Sequence, residues 1–205
     1  RVAFPIFAFM AVEGYFHTRS FKRYALRMLL FAVLSEVPFD LMYGGTVFYP
    51  VHQNVIWTLL LGLLGIRLME AARAKGKRWL YILTCAAVVV LGFALGTLGM
   101  VDYYGAGVLT VFAFYFFRER KWWCLLGQLA ALYWLNVAVL GGQMYPVTLF
   151  GREIELCEQG LALLALVPIW LYRGRQGHHS KAFQYACYAF YPAHMLVLAL
   201  LTMIQ

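Results

Sequence analysis

Charged residues are scarce in this chain, and acidic residues are scarcer than basic ones. Only 13% of the 205 residues are charged and 63% are hydrophobic, whereas a soluble domain has about 25% charged and about 45–50% apolar residues. This composition excludes a soluble globular domain. It predicts an all-α fold in which transmembrane helices form a polytopic bundle.

The excess of 17 Lys and Arg over 9 Asp and Glu gives a net charge of +8. No basic helical face or nucleic-acid-binding motif accompanies this excess, so no nucleic acid partner is expected. The four cysteines are solitary and widely spaced, which predicts neither a disulfide framework nor a metal site. We interpret them as small buried apolar residues: Cys85, Cys124, Cys157 and Cys187.

Eight apolar segments are predicted to form the helices of the bundle. A helix needs about 20 predominantly apolar residues to cross a bilayer. Several of these segments are shorter and reach that length only with the polar residues at their ends. The segments are approximately Arg1–Phe16, Tyr24–Met42, Val55–Met69, Leu80–Leu98, Tyr104–Phe117, Trp122–Leu140, Ile154–Tyr172 and Phe183–Ile204.

Basic residues concentrate in alternate loops. The loops after the first, third, fifth and seventh segments hold four, five, three and three Lys or Arg residues, and only Arg1 and Arg152 lie elsewhere. Cytoplasmic loops of membrane proteins carry an excess of Lys and Arg. We therefore expect the four basic loops on the cytoplasmic side of a bacterial inner membrane, and Asp40 and His52 near its outer face.

The chain begins at Arg1 and runs directly into an apolar segment, with no initiator Met and no signal peptide. The expectation is that residues 1–205 form a single transmembrane domain whose native N-terminal part is missing.

Two charged residues flank the first basic loop at similar height. Glu13 lies about one turn before the loop and Arg27 about one turn after it. One interpretation is a structural ion pair between them, because charges inside a membrane tend to pair. The other is that Arg27, with Arg19 and Arg23, forms an edge that binds phosphate groups.

The second segment carries two carboxylates toward its other end. Glu36 and Asp40 are four residues apart and share a helical face. His52 and Asn54 follow the next turn at the same height, so a carboxylate could orient His52 as a general base. Alternatively, His52 is an interfacial residue and Asn54 is the N-cap of the third helix.

The last segment contains His194, about 13 residues and therefore about 19 Å from its basic start. Pro192 lies two residues earlier and would bend the helix so that His194 faces a cavity. We consider two roles for His194: a hydrogen-bonded buried residue, or a residue that acts on the substrate.

Several motifs of the chain resemble the TraX family, the membrane proteins linked to acetylation of conjugative pilin. The first seventy residues match closely, and the middle matches in hydropathy. The matching stretches are Arg1–Phe9 with Glu13-Gly14, Tyr24–Asp40 with its Ser35-Glu36-Val37-Pro38-Phe39-Asp40 motif, His52-Gln53-Asn54 followed by Thr58–Leu63, and Tyr191-Pro192-Ala193-His194. The last is also similar to wider membrane acyltransferases.

The resemblance implies acyl transfer from cytosolic acyl-CoA, with acetyl-CoA as donor, to an amine or hydroxyl group at the outer face. The acceptor would be a pilin N-terminus or an envelope glycan. Family members usually begin with one more helix that carries an Asp-His pair, and this sequence lacks it. The layout predicts CoA phosphates on Arg19, Lys22, Arg23 and Arg27, a base at His194, or at His52 with Asp40 or Glu36, and substrate contacts from Glu13, Gln53, Asn54 and Tyr191.

Two other functions remain open from the sequence. Buried charged residues could form a proton or substrate path through a transporter or flippase. The chain could also be a non-catalytic membrane partner of a conjugation or secretion machine.

Overall fold

A computed structural model describes residues 1–149, 152–174 and 180–204. Within these ranges the chain forms eight helical segments and one short hairpin, as an all-α membrane bundle predicts. The α-helices are α1 (Ala3–His17), α2 (Phe21–Gly44), α3 (Val55–Ala74), α4 (Arg78–Leu98), α5 (Tyr104–Phe116), α6 (Trp122–Tyr133), α7 (Leu166–Leu171) and α8 (Lys181–Ile204).

Local sequence explains where α2 and α3 begin and end. The hydroxyl of Ser20 accepts a hydrogen bond from the amide of Arg23, and Gly45 ends α2 with a φ of 67° that glycine adopts without strain. The side chain of Asn54 accepts a hydrogen bond from the amide of Ile56 at the start of α3. α2 is 24 residues long, or about 36 Å.

The predicted seventh segment is wrong in its first part. Residues Met144–Leu149 and Arg152–Cys157 form an antiparallel hairpin, β1 and β2. The predicted helix therefore does not begin at Ile154. Val147 and Thr148 favour the extended backbone of a strand. Helical structure begins at Glu158 with a 3₁₀ stretch that continues into α7.

The centre of the bundle is formed by α3 and α5. Every residue of α5 from Gly105 to Tyr115 is buried except Leu109. Glycines on α3 let the two helices approach closely, since a Cβ at Gly62 would lie 2.6 Å from Val111. α2 lies on one side of this core and packs along α8.

The outer helices expose their apolar side chains. α4 has a mean hydropathy of 2.2 and only 11% of its most apolar stretch is buried, and α8 is covered still less. Exposed apolar surface on this scale is typical of helices that contact lipid. Among the described residues, four helices are long and apolar enough to cross a membrane: Val55–Ala74, Arg78–Leu98, Trp122–Leu140, which is α6 with its π-helical continuation, and Tyr185–Thr202.

The loops gather at two ends of the bundle. At one end, Glu13 of α1 pairs with Arg118, and both residues line a cavity with Gly174. We call this the basic end, because it gathers the loops that carry the Lys and Arg residues. At the other end, which we call the hairpin end, Gln53 pairs with Val101 and Arg1 with Glu158. Arg175, which belongs to the last basic loop, lies outside the described residues.

One cysteine departs from the predicted burial. Cys124 and Cys157 are buried and Cys85 is half-buried, but Cys187 is exposed on α8. Its exposure follows from the position of α8, which contacts the bundle mainly through α2.

Replacement of Gly62 by alanine tests the close packing of α3 on α5. The new Cβ would overlap the stiff side chain of Val111, so Gly62→Ala should destabilise the bundle by about 1–3 kcal/mol. We expect the melting temperature in detergent to fall by several degrees. Gly160→Ala is the matched control, because its Cβ would meet Val137 at an ordinary 3.7 Å. Equal melting temperatures for the two variants would contradict the packing described here.

Candidate functional site

The carboxylate of Glu36 lies between α2 and the start of α3. Its Oε2 accepts hydrogen bonds from the side-chain amide of Asn54 and, at 2.8 Å, from the indole N–H of Trp57. Its Oε1 is buried and accepts no hydrogen bond from any described residue. Glu36 is therefore held firmly through one oxygen and left unsatisfied at the other.

Asn54 connects three parts of this site. Its amide nitrogen donates to Glu36 and, at 2.8 Å, to the backbone carbonyl of Ala32, while its oxygen caps α3. The N-cap interpretation is therefore confirmed, but it describes only one of the three contacts. Because Asn54 is fully buried, these bonds form where water does not compete for them.

Asp40 lies one turn beyond Glu36 and is only 2% exposed. Its Oδ2 accepts a hydrogen bond of 3.0 Å from the backbone amide of Tyr49, which fixes the loop between α2 and α3. Its Oδ1 has no hydrogen-bond partner among the described residues. A buried charge without full compensation is costly, so Asp40 is a functional candidate as well as a structural one.

His52 is buried beside α2, but its carboxylate partner is Asp102. The Nε2 atom of His52 lies 3.4 Å from Oδ1 of Asp102, and the ring stacks on Tyr43 with centroids 4.5 Å apart. The expectation that Glu36 or Asp40 orients His52 is thus wrong, because those carboxylates bind Asn54 and Tyr49. The feature of the sequence that could have pointed to Asp102 is its position in a loop at the same end of the bundle as His52.

Asp102 lies on a turn that is bound directly to the His52 loop. The amide of Gln53 donates to the carbonyl of Met100 at 2.9 Å, and the amide of Asp102 donates to the carbonyl of Gln53 at 2.9 Å. The hydroxyl of Thr58 donates to the carbonyl of Asp102 at 2.6 Å. Gln53, which we expected to contact substrate through its side chain, joins the two loops through its backbone.

The same turn holds three non-glycine residues with positive φ, namely Met100 at 50°, Tyr103 at 61° and Tyr104 at 49°. Such backbone conformations cost about 1–3 kcal/mol each and persist only where the surroundings enforce them. Tyr103 stacks on Phe4 with centroids 4.2 Å apart. Burial and the nearby carboxylate of Asp102 raise the pKa of the Tyr103 hydroxyl.

Tyr191 and Ser35 bring two further polar groups to this end of α2. The hydroxyl of Tyr191 is buried beside the backbone amide of Val55, and it interacts electrostatically with Asp102 and Glu36. Ser35 is completely buried, and its hydroxyl is unpartnered within the described chain. Ser35, Glu36 and Asp40 thus each have a buried oxygen without a hydrogen-bond partner among the described residues.

His194 lies one turn beyond Tyr191 on α8. Its Nδ1 contacts the carbonyl of Phe190 at 2.9 Å, and its ring stacks on Phe190. The edge of Tyr191 also meets the ring, with centroids 5.3 Å apart. His194 therefore adjoins the cluster through Tyr191 and is half-buried.

At the basic end the predicted pair of Glu13 and Arg27 does not form. The carboxylate of Glu13 accepts two hydrogen bonds from Arg118, at 2.7 and 3.3 Å, and Arg118 also covers the ring of Phe16. Glu13 and Arg27 have similar heights along α1 and α2, but they do not lie side by side. The Nε of Arg27 is buried and has no acceptor among the described residues.

The other predicted phosphate-binding residues lie at the N-terminus of α2. Arg19, Lys22 and Arg23 are all exposed. A separate cavity of about 470 Å³ also opens at the basic end, where Lys121 binds Glu119 and the bond raises the pKa of the lysine. Other basic residues that line it are Arg73 and Arg118.

Comparison with known proteins covers nearly the whole chain. The family model described as TraX protein matches residues 1–202. The protein named "Probable fimbrial assembly protein FimC, serogroup H1" of Dichelobacter nodosus is 26% identical over 208 residues, which cover 97% of this chain and 79% of that protein. No solved structure matches the chain significantly.

Loss of the Asn54 side chain tests its role as the connection between α2 and α3. Asn54→Ala removes the cap of α3 and the donor to Glu36, so it should destabilise the fold by about 2–4 kcal/mol. Thermal unfolding in detergent measures the change. Gln53→Ala is the control, because its loop contacts are made by the backbone and its side chain binds only the carbonyl of Pro50. A melting temperature as high as that of the control would disprove the role given to Asn54.

Proposed function

This chain belongs to the TraX protein family, and from that premise we propose that it is an integral-membrane acyltransferase. It would transfer an acetyl group from acetyl-CoA to an amine or hydroxyl group of an acceptor. The observation that supports this best is the pair of buried His52 and half-buried Asp102, next to the carboxylates of α2. A histidine paired with a carboxylate is the usual arrangement of a general base.

The acceptor that we propose is a protein of the pilus, with an envelope glycan as the second possibility. The name of the Dichelobacter nodosus relative describes a fimbrial assembly protein, which supports a protein acceptor. We further propose that the basic end faces the cytoplasm of a bacterial inner membrane and that the hairpin end faces outward, as the positive charge of the loops favours.

The proposed reaction uses His52 as the base. The contact of Nε2 with Asp102 leaves Nδ1 as the nitrogen that can take a proton from the acceptor. Acetyl-CoA would supply the acetyl group as a thioester. As the acceptor nitrogen or oxygen bonds to the carbonyl carbon, the C–S bond breaks, and the CoA thiol leaves with a proton. Asp102 stabilises the imidazolium formed in between.

The donor would enter from the basic end. Arg27 carries a buried nitrogen for which the described residues supply no acceptor, and Arg19, Lys22 and Arg23 lie exposed near it. These residue types fit phosphate groups, which guanidinium and ammonium groups bind through charge-assisted hydrogen bonds. Along α2, the separation of nine positions between Arg27 and Glu36 corresponds to about 14 Å, a length that an extended donor can cover. His194 and Tyr191 would flank the acceptor from α8.

Binding of radiolabelled acetyl-CoA to the protein in nanodiscs tests the donor site. Arg27→Gln removes a charge-assisted bond to phosphate, so it should weaken binding about tenfold or more. Lys75→Gln is the control, because Lys75 is exposed at the same end and lies outside the proposed site. A loss in Arg118→Gln but not in Arg27→Gln would place the donor in the 470 Å³ cavity instead. Absence of acetyl-CoA binding in the wild type would sink the acyltransferase proposal and favour transport.

Transfer of the labelled acetyl group to trialanine amide or methyl glucosaminide tests the base. We expect His52→Gln to reduce transfer by about 10²–10⁴-fold and Asp102→Asn to reduce it by a smaller factor. Neither variant should weaken acetyl-CoA binding. His194→Gln is the comparison, because its Nδ1 is engaged by its own helix. If His194→Gln abolished transfer while His52→Gln preserved it, His194 would be the base and our assignment would be wrong.

A further inference from the structure

The hairpin end carries negative charge that its own side chains do not neutralise. Glu36 and Asp40 each use one oxygen to bind N–H groups of the protein, and each keeps a buried oxygen that no described residue contacts by a hydrogen bond. By contrast, two other carboxylates are paired with arginines: Glu13 with Arg118 at the basic end, and Glu158 with Arg1 at the hairpin end. Since buried unpaired charges are costly, the free oxygens indicate a cationic ligand.

Resting on the proposed function, we propose that Glu36 and Asp40 bind the protonated primary amine of the acceptor. The two carboxylates lie one turn apart on the same face of α2, where neighbouring Cβ atoms are about 5–6 Å apart. A single ammonium group between them can donate to both free oxygens. This assigns the acceptor to the amines, either the α-amine of a polypeptide or the amine of an amino sugar.

The geometry favours an ammonium group over other cations. An ammonium has three donors that can point to separate acceptors, and among the described residues Glu36 and Asp40 each offer one unpartnered oxygen. A guanidinium binds best when both oxygens of one carboxylate are free, and here one oxygen of each is occupied. Among the described residues, no group of three or more His, Cys, Asp or Glu side chains is arranged to hold a metal ion.

The site also explains how the amine becomes reactive. The bound ammonium must lose one proton before its nitrogen can attack, and the amine loses a second as the amide bond forms. One proton is released and the other leaves with the CoA thiol, so the net reaction yields amide, free CoA and one proton. His52, one loop away from Asp40 and stacked near Phe39, is placed to accept a proton from this nitrogen.

Amine binding measured in the absence of acetyl-CoA tests this inference separately from the proposed function. Radiolabelled trialanine amide, which has a free α-amine, would be equilibrated with the protein in nanodiscs, and N-acetyl-trialanine amide would be its uncharged counterpart. We expect saturable binding of the amine and at least tenfold weaker binding of the acetylated form. Methyl glucosaminide would be tested in parallel. Tighter binding of the sugar would identify an amino sugar as the source of the amine.

Isosteric variants identify the carboxylates. Glu36→Gln and Asp40→Asn keep an acceptor for Trp57 and for Tyr49 but remove the charge, and each should weaken amine binding about tenfold or more. Glu155→Gln makes the same change on an exposed strand residue of β2 and should bind as the wild type does. Thermal unfolding of each variant shows whether it is folded, and added amine should raise the melting temperature of the wild type but not of either variant.

The outcomes are distinguishable. Amine binding that survives in both folded variants, or equal binding of the acetylated peptide, would overturn the ammonium site. Acetyl-CoA binding without any amine binding would overturn it too, while the acyltransferase proposal stood. If the variants lose amine binding but the wild-type protein never transfers an acetyl group, the ammonium site would be supported and the proposed acyltransferase function would be wrong.

Discussion

The hydrogen bonds of Asn54 are the interaction on which this structure depends most. A single buried amide joins the carbonyl of Ala32, the carboxylate of Glu36 and the first turn of α3. In a bundle surrounded by lipid, a buried polar group is costly unless it finds a partner inside the protein. One side chain meets this requirement for three groups at once, and it thereby fixes the angle at which α2 meets the core. Because α8 packs along α2, its position follows from the same contact.

The two ends of the bundle treat their charges differently. At the basic end, carboxylates are matched to cations and to tyrosine hydroxyls, as with Tyr115, which donates to Glu70 at 2.6 Å. At the hairpin end, Arg1 pairs with Glu158 and His52 with Asp102, but Glu36 and Asp40 are held only by hydrogen bonds from neutral groups of the described residues. Neutral donors position a carboxylate without lowering its attraction for a cation as an arginine would. This contrast is the reason for which we propose a ligand site at Glu36 and Asp40.

The sequence predicted the helices well, because runs of apolar residues between basic loops are a strong signal in membrane proteins. It failed at Ile154, where apolar residues alternate with polar ones and form a strand. Counting residues along a helix gives the height of a side chain in the bundle, and this count correctly placed Asn54 level with the last turns of α2. Lateral neighbours could not be counted in this way. For that reason the sequence suggests Arg27 rather than Arg118 as a possible partner of Glu13, and a carboxylate of α2 rather than Asp102 as a possible partner of His52.

The turn that carries Asp102 shows what the protein gains from an unfavourable backbone. Glycine at Met100, Tyr103 or Tyr104 would relieve the positive φ angles, and it would also remove a side chain. The ring of Tyr103 lies against Phe4 of α1, and the edge of Tyr104 meets His52. Tyr104 thus contacts His52 from this turn, while Phe39 and Tyr43 of α2 stack on the histidine ring. A glycine at Tyr104, which a sequence selected for stability alone would favour, would remove part of the aromatic surroundings of the histidine.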